Sequence, residues 1–218
     1  MQYQAVVFDM DGVIFDTERL VIEFWKEVAK KHNIPNVEHT CIQCLGANRV
    51  RTREIFLENY GADFPYDPYR AEVTELFNTH YKGVPLPTKP GVRELLSYLQ
   101  EQDIKVGLAS STAQHLVRDE IGTAGLLPYF QTLVCGDMVE HSKPAPDIFL
   151  KACEILNADP TKSIAIEDSF NGIRSAHCAG MTPIMVPDQV QPTDEIRILA
   201  FHVMPSLLDV LNWLKTLA

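Results

Sequence analysis

Positive charge is scarce in this chain of 218 residues. Its 19 Lys and Arg stand against 29 Asp and Glu, a net charge of −10. Non-specific nucleic-acid binding needs a cationic surface, so no nucleic-acid partner is expected. Long apolar runs are missing too: none reaches the roughly 18 residues that span a bilayer. The N-terminus lacks the basic start and apolar stretch of a signal peptide. No membrane partner is therefore expected, and a cytoplasmic location is. Cysteine is limited to five residues. An odd number does not describe a disulfide framework, so reduced thiols are expected. There is no Gly-rich phosphate loop of the P-loop type, which excludes that class of nucleotide-driven kinase, and no H-E-x-x-H. Internal repeats and low-complexity tracts are also lacking.

What remains is ordinary globular composition, 46% hydrophobic and 22% charged, which excludes wholesale disorder. At roughly 150 residues per domain the length allows one large domain, or a core with a smaller insert. Such a chain buries enough surface to fold without metal or disulfide, and a monomer is expected.

Five short runs rich in Val, Ile or Ala read as strands: residues 3–9, 104–109, 132–134, 163–166 and 182–186. None alternates polar with apolar, as expected when helices cover both faces of a sheet. Helical patterns lie between them. Val92, Leu95, Leu96 and Leu99 share one helix face, and Leu207, Val210, Leu211 and Leu214 mark a last amphipathic helix. Pro146 and Asp147 suit a first turn, and Gly180 suits a left-handed cap. The alternation implies an α/β fold with a parallel sheet and right-handed crossovers.

Residues 17–88 break this rhythm. Leu20, Phe24 and Val28 recur every four residues, Ile55 and Tyr60 begin another apolar face, and no strand is evident. Pro85, Pro87, Pro90 and Gly91 mark the end. This reads as an all-helical insert after strand one, with the core formed by 1–16 and 89–218. The insert holds nine Lys and Arg against ten Asp and Glu, whereas the remainder holds ten against nineteen. Arg49, Arg51 and Arg53 cluster in the insert; a solvated helix face is the plain reading of such a group.

The chemistry concentrates at strand ends. Asp9 closes the first strand, where open parallel sheets bind ligands. Period two lets Asp9 and Asp11 project together while Met10 faces away, and Gly12 permits the turn that follows. Glu167 and Asp168 close the fourth strand. If those strands are neighbours, three or four carboxylates share a crevice. Each close pair then repels by about 4 kcal/mol at 4 Å and an effective dielectric of 20. A hard divalent cation such as Mg²⁺ offsets that repulsion. Ser110 and Ser111 follow the second strand, where hydroxyls and turn amides can donate to an anion. Lys143, before Pro144, can offer a fixed ammonium to a phosphate. Cys41-Ile42-Gln43-Cys44 lacks a second ligand pair for zinc and reads as small apolar side chains of the insert.

Four motifs in order resemble the haloacid dehalogenase superfamily, in its phosphatase and phosphomutase branch. They are Phe8-Asp9-Met10-Asp11-Gly12-Val13, Leu108-Ala109-Ser110, Lys143-Pro144-Ala145-Pro146-Asp147 and Ile166-Glu167-Asp168-Ser169-Phe170-Asn171-Gly172. The resemblance implies a Rossmann-like three-layer core carrying a helical cap over 17–88. It implies Asp9 as the nucleophile that forms an aspartyl-phosphate and Asp11 as general acid and base. It implies phosphate contacts from Ser110 and Lys143, with Ser111 beside them. It also implies Mg²⁺ on the Asp9 carboxylate, the Asp11 carbonyl and Asp168, with Glu167 in or next to that shell. The expected partner is a small phosphorylated metabolite. Leu45-Gly46-Ala47-Asn48-Arg49 resembles the cap segment that carries a phosphate-binding arginine, which makes Arg49 a substrate candidate. Hydrolysis of small sugar or nucleoside phosphates is the expected activity. A β-phosphoglucomutase-type mutase is the alternative, although the histidine that enzyme carries is replaced here by Val21. A receiver that holds a phosphoryl group without turnover is a third reading, against which Asp11 and the insert both argue.

Overall fold

Strand β1 (Ala5–Phe8) is buried at every position and lies inside a six-stranded parallel sheet. Its partners are β2 (Lys105–Ser110) on one side and β4 (Ser163–Glu167) on the other. Beyond them come β3 (Thr132–Cys135) and, on the far side, β5 (Thr182–Met185) and β6 (His202–Val203), giving the order β3-β2-β1-β4-β5-β6. The protein is described by a computed structural model covering residues 3–45 and 49–217.

Period two explains the unbroken apolar runs. Val6 and Phe8 of β1 join one core cluster, together with side chains of α5 (Val92–Glu101), α6 (Gln114–Thr123) and α10 (Leu207–Lys215). Ala5 and Val7 join a second cluster with α7 (Asp147–Leu156) and α8 (Phe170–Cys178). Helices thus cover both faces, which parallel sheets require. A short α9 (Asp194–Leu199) precedes β6. The five expected strands are present, each end within two residues of its expected place. Strand β6 lies outside the expected set, because two half-buried residues make no apolar run. Gly180 stands in the left-handed region just past α8, at φ 75°.

Between β1 and α5 the chain forms α1 (Thr17–His32), α2 (Val37–Cys44), α3 (Arg49–Tyr60) and α4 (Tyr66–Tyr81). Their shared core is aromatic. Trp25 packs on Phe56 with centroids 4.5 Å apart and stacks on Tyr66 at 5.9 Å. Leu20, Phe24 and Val28 are buried along α1. The chain leaves and returns to the sheet side by side. Phe15 bridges Thr88, Asp16 N–H donates to the Pro87 carbonyl at 3.0 Å, and Lys89 N–H donates to the Ile14 carbonyl at 2.9 Å. Lys89 Nζ also reaches Asp188 at 2.5 Å and Asp16 at 3.6 Å. No helix among the described residues is long and apolar enough to cross a membrane. All five cysteines are free.

Candidate active site

The carboxyl ends of β1, β2 and β4 meet at one edge of the sheet. Asp9 follows β1 directly, and its N–H donates to the Ile166 carbonyl at 2.9 Å, which extends the pairing with β4 by one residue. One carboxylate oxygen from each of Asp9, Glu167 and Asp168 lies within 4.8 Å of the others, and all three residues are buried. Of the four acids expected at this edge, Asp9, Glu167 and Asp168 lie together, and Asp11 is outside that group.

Lys143 is the counter-charge. Its Nζ donates to Asp9 Oδ1 at 2.5 Å, Glu167 Oε1 at 2.6 Å and the Ala109 carbonyl at 2.9 Å. Burial pushes this ammonium toward neutrality, but Asp9 and Glu167 outweigh that and hold its pKa above the ordinary lysine value. Glu167 spends its second oxygen on the next loop. Oε2 accepts from the Asp168 and Ser169 amides, each at 3.1 Å, and from Ser169 Oγ at 2.9 Å. Glu167 therefore orients Lys143 and the loop carrying Asp168. The Asp168 carboxylate accepts no hydrogen bond from the described residues. Burial, then the charges of Glu167 and Asp9, raises its pKa well above the usual aspartate range. Burial likewise raises Asp9, with Lys143 opposing and Glu167 and Asp11 adding to the rise. Three buried acids against one ammonium leave a surplus of negative charge, with hard oxygen ligands and a spare carboxylate on Asp168. That donor set fits a divalent cation of the Mg²⁺ type.

Two glycines make the arrangement possible. Gly12 has φ +79°, and a Cβ there would fall 2.2 Å from Asp168 Oδ2. A Cβ on Gly172 would fall 1.8 Å from the Glu167 carboxyl carbon. Asp168 and Glu167 occupy the space that any other side chain would take.

Asp11 stands across from this group, held by hydroxyls. Thr17 Oγ1 donates to its Oδ1 at 2.7 Å, and Thr112 Oγ1 donates to its Oδ2 at 3.0 Å. Thr112 is a positioning group that sequence reasoning misses, because 101 residues separate it from Asp11. Ser110 is fully buried, and its Oγ accepts the Thr112 amide at 3.1 Å. It shapes the turn whose Ser111 and Thr112 line the cavity above.

That cavity, of about 370 Å³, lies between the sheet edge and the inserted helices. Asp9, Asp11, Ser111, Lys143 and Asp168 line it from the sheet side; Glu18, Val21, Trp25, Cys41, Cys44, Tyr66 and Arg70 line it from the insert. Burial, then Asp11 and Asp188, pushes the Glu18 carboxyl up to about 8. Burial pushes the Cys44 thiol up to about 12 and raises Cys41 likewise, so neither behaves as a thiolate. Arg49 is exposed and lines a second cavity, of about 700 Å³, beside α4; Arg70 lines both. The structure thus brings Arg70, not Arg49, to the space above Asp9. Gly46, Ala47 and Asn48 of the arginine segment lie outside the described residues. Arg51 and Arg53 make surface ion pairs with Glu58 and Asp67.

The chain is similar to known proteins over most of its length. Residues 6–186 match the family described as haloacid dehalogenase-like hydrolase. A phosphorylated carbohydrates phosphatase of Thermotoga maritima is 34% identical over 181 residues, 83% of each chain. The β-phosphoglucomutase of Bacillus subtilis is 35% identical over 199 residues, covering 87% of this chain and 85% of that one. A solved Thermotoga maritima structure, provisionally named a β-phosphoglucomutase, superposes with a TM-score of 0.80 at 30% identity, over 99% of this chain and 100% of that one.

Proposed function

Since the chain belongs to the haloacid dehalogenase-like hydrolases, we propose that it hydrolyses small phosphate monoesters, of sugars or nucleosides, through an aspartyl-phosphate on Asp9. The observation that carries this reading is the pairing of Asp9, in contact with Lys143 at 2.5 Å, with a separately anchored Asp11 in one cavity. A nucleophile needs its charge partly compensated and its position fixed. A general acid needs to stand apart from it, facing the leaving group.

In the first step an Asp9 oxygen bonds to phosphorus while the bond to the ester oxygen breaks. Asp11 gives that oxygen a proton, and the alcohol departs. In the second step Asp11 takes a proton from water as the water oxygen bonds to phosphorus. The acyl-phosphate bond breaks, inorganic phosphate leaves, and Asp9 is a carboxylate again. Ser111 and the turn amides set by Ser110 hold the phosphoryl oxygens, and Lys143, whose three N–H bonds go to Asp9, Glu167 and the Ala109 carbonyl, supplies positive charge beside them. The carboxylates of Asp9 and Asp168 and the Asp11 carbonyl would hold Mg²⁺, which supplies positive charge against the transferring group. Glu167 keeps Lys143 and the Asp168 loop in place. We assign a monomer acting on a small phosphorylated metabolite in the cytoplasm.

The test is inorganic phosphate release from a panel of sugar, alditol and nucleoside phosphates, with Mg²⁺ and with chelator. Asp9→Asn should lose at least about a thousandfold in kcat, with its circular dichroism retained. Full activity in that variant would exclude Asp9 as the nucleophile.

Identity of 35% to a β-phosphoglucomutase favours one second reading, a mutase that returns the phosphoryl group to a sugar. Val21 lines the cavity where the resemblance places that enzyme's histidine, and valine can neither accept nor donate a proton. Isomerised sugar phosphate formed without phosphate release would decide for the mutase.

A further inference from the structure

Most cations of the inserted helices are committed to carboxylates. Arg19, Lys26, Lys31, Arg51 and Arg53 pair with Asp16, Glu23, Glu72, Glu58 and Asp67. Of the nine Lys and Arg in the insert, Lys30, Arg49, Arg70 and Lys82 are left, and among the described residues their side chains make no hydrogen bond or ion pair. Three of those four, Arg49, Arg70 and Lys82, line one cavity of about 700 Å³ beside α4. Two acids line it as well. Asp67 is held by Arg53 at 3.2 Å, and Glu75 has no partner among the described residues. Three cations thus face one uncommitted acid, in a chain where acids outnumber bases by 29 to 19. Solvated surface charges have no reason to gather in this way, whereas guanidinium and ammonium groups are what phosphate recognition uses. Thr74 and Asn78 follow Arg70 at intervals of four along the same wall, and Lys82 caps the helix. Arg70 and Lys82 stand about 18 Å apart along the helix axis, too far to share a single small ion. Two anionic groups on one molecule suit the two ends, and the volume is that of a small-molecule site.

We propose that this outer cavity is a second binding site, separate from the space above Asp9, for a small molecule carrying two or more phosphate groups, held by Arg49 and Arg70 at one end and Lys82 at the other. Arg70 also lines the cavity above Asp9. A ligand in the outer cavity competes for that guanidinium, so its binding weakens the hold on substrate without displacing it. This last consequence rests on the hydrolase reading above; the binding site itself does not.

The experiment is titration calorimetry on the metal-free protein, where three buried acids against one ammonium turn a polyanion away from Asp9. The probes are inorganic tripolyphosphate, a hexose bisphosphate, a nucleoside diphosphate and orthophosphate. At least one of the first three should bind once per chain, about tenfold or more tighter than orthophosphate, since each further charged contact is worth that much; the tightest identifies what carries the phosphate groups. Lys82→Gln and Arg49→Gln should each weaken that binding by about tenfold, while Lys30→Gln, which removes the one unpaired cation outside the cavity, should leave it at the wild-type value. No binding by any of the three, or an equal loss in Lys30→Gln and Lys82→Gln, would overturn the proposal. Phosphate release from para-nitrophenyl phosphate at constant free Mg²⁺ then tests the share of Arg70. The probe that binds tightest should raise KM to a plateau of about fivefold, and the rise should vanish in Lys82→Gln. A rise without plateau that persists in Lys82→Gln would place the probe at Asp9 and overturn the coupling. If the wild type releases no phosphate, the hydrolase reading falls, and the calorimetry still decides the outer site.

Discussion

At the scale of single residues, the site depends on what is small as much as on what is charged. Gly172 lies inside α8, where alanine would ordinarily be preferred, yet the Glu167 carboxyl fills the space a methyl group would need. Gly172→Ala should therefore destabilise the fold by about 1–3 kcal/mol, as overpacking does, read as a lower urea midpoint at unchanged slope. It should also lower activity, because Glu167 would have to release Lys143 or the Asp168 loop. Thr112→Val removes one of the two hydroxyls that hold Asp11. Its kcat should fall about tenfold, the worth of one hydrogen bond to a charged group, while the fold melts as before; an unchanged kcat would show that Thr17 alone suffices. The acids were legible because carboxylates directly after Val-Val-Phe or Ile-Ala-Ile have no structural reason to be there. Thr112 and Gly172 were not legible as site residues, because their partners lie far along the chain or are set by close packing.

At the scale of elements, one ammonium binds three strand ends together. Lys143 contacts Asp9 after β1, the Ala109 carbonyl of β2 and Glu167 of β4. Lys143→Met leaves buried carboxylates without compensation and should cost about 3–5 kcal/mol. The pH dependence has a definite sign. Asp9 and Asp168 have folded pKa values above their unfolded ones. The stability they contribute is fully present below the ordinary aspartate value of 3.8 and is lost as pH rises through the raised folded values. The metal-free protein should thus weaken as pH rises from about 4 toward neutrality, Lys143→Met should weaken further over that range, and added Mg²⁺ should restore part of the loss in the wild type. Urea midpoints against pH, with chelator and with Mg²⁺, check all three. Five strands were readable as apolar runs because helices hide both faces of the sheet. Strand β6 escaped because two half-buried residues at a sheet edge leave no pattern.

At the scale of the whole molecule, β1 lies at the point where strand order reverses, with β2 on one side and β4 on the other. Open parallel sheets bind ligands at such a switch point, and here Asp9 opens directly onto it. The surplus of acid over base belongs mostly to the segments that build this sheet, and the inserted helices contribute an aromatic interior and the far wall of the cavity. Where those helices would sit over the sheet was not readable from their sequence, since an apolar stripe states that a face is buried and not against what.

The bridge between Phe15 and Thr88 makes the inserted helices a closed excursion from the sheet. A detour whose entry and exit lie shoulder to shoulder adds nothing to the distance the backbone must cover between the first two strands. The stretch between them can therefore be exchanged as a cassette. A chimera that carries a relative's helices between Asp16 and Thr88 should melt as a cooperative unit near the parent's temperature while inheriting the donor's choice of ester, with calorimetry reading the first and a substrate panel the second.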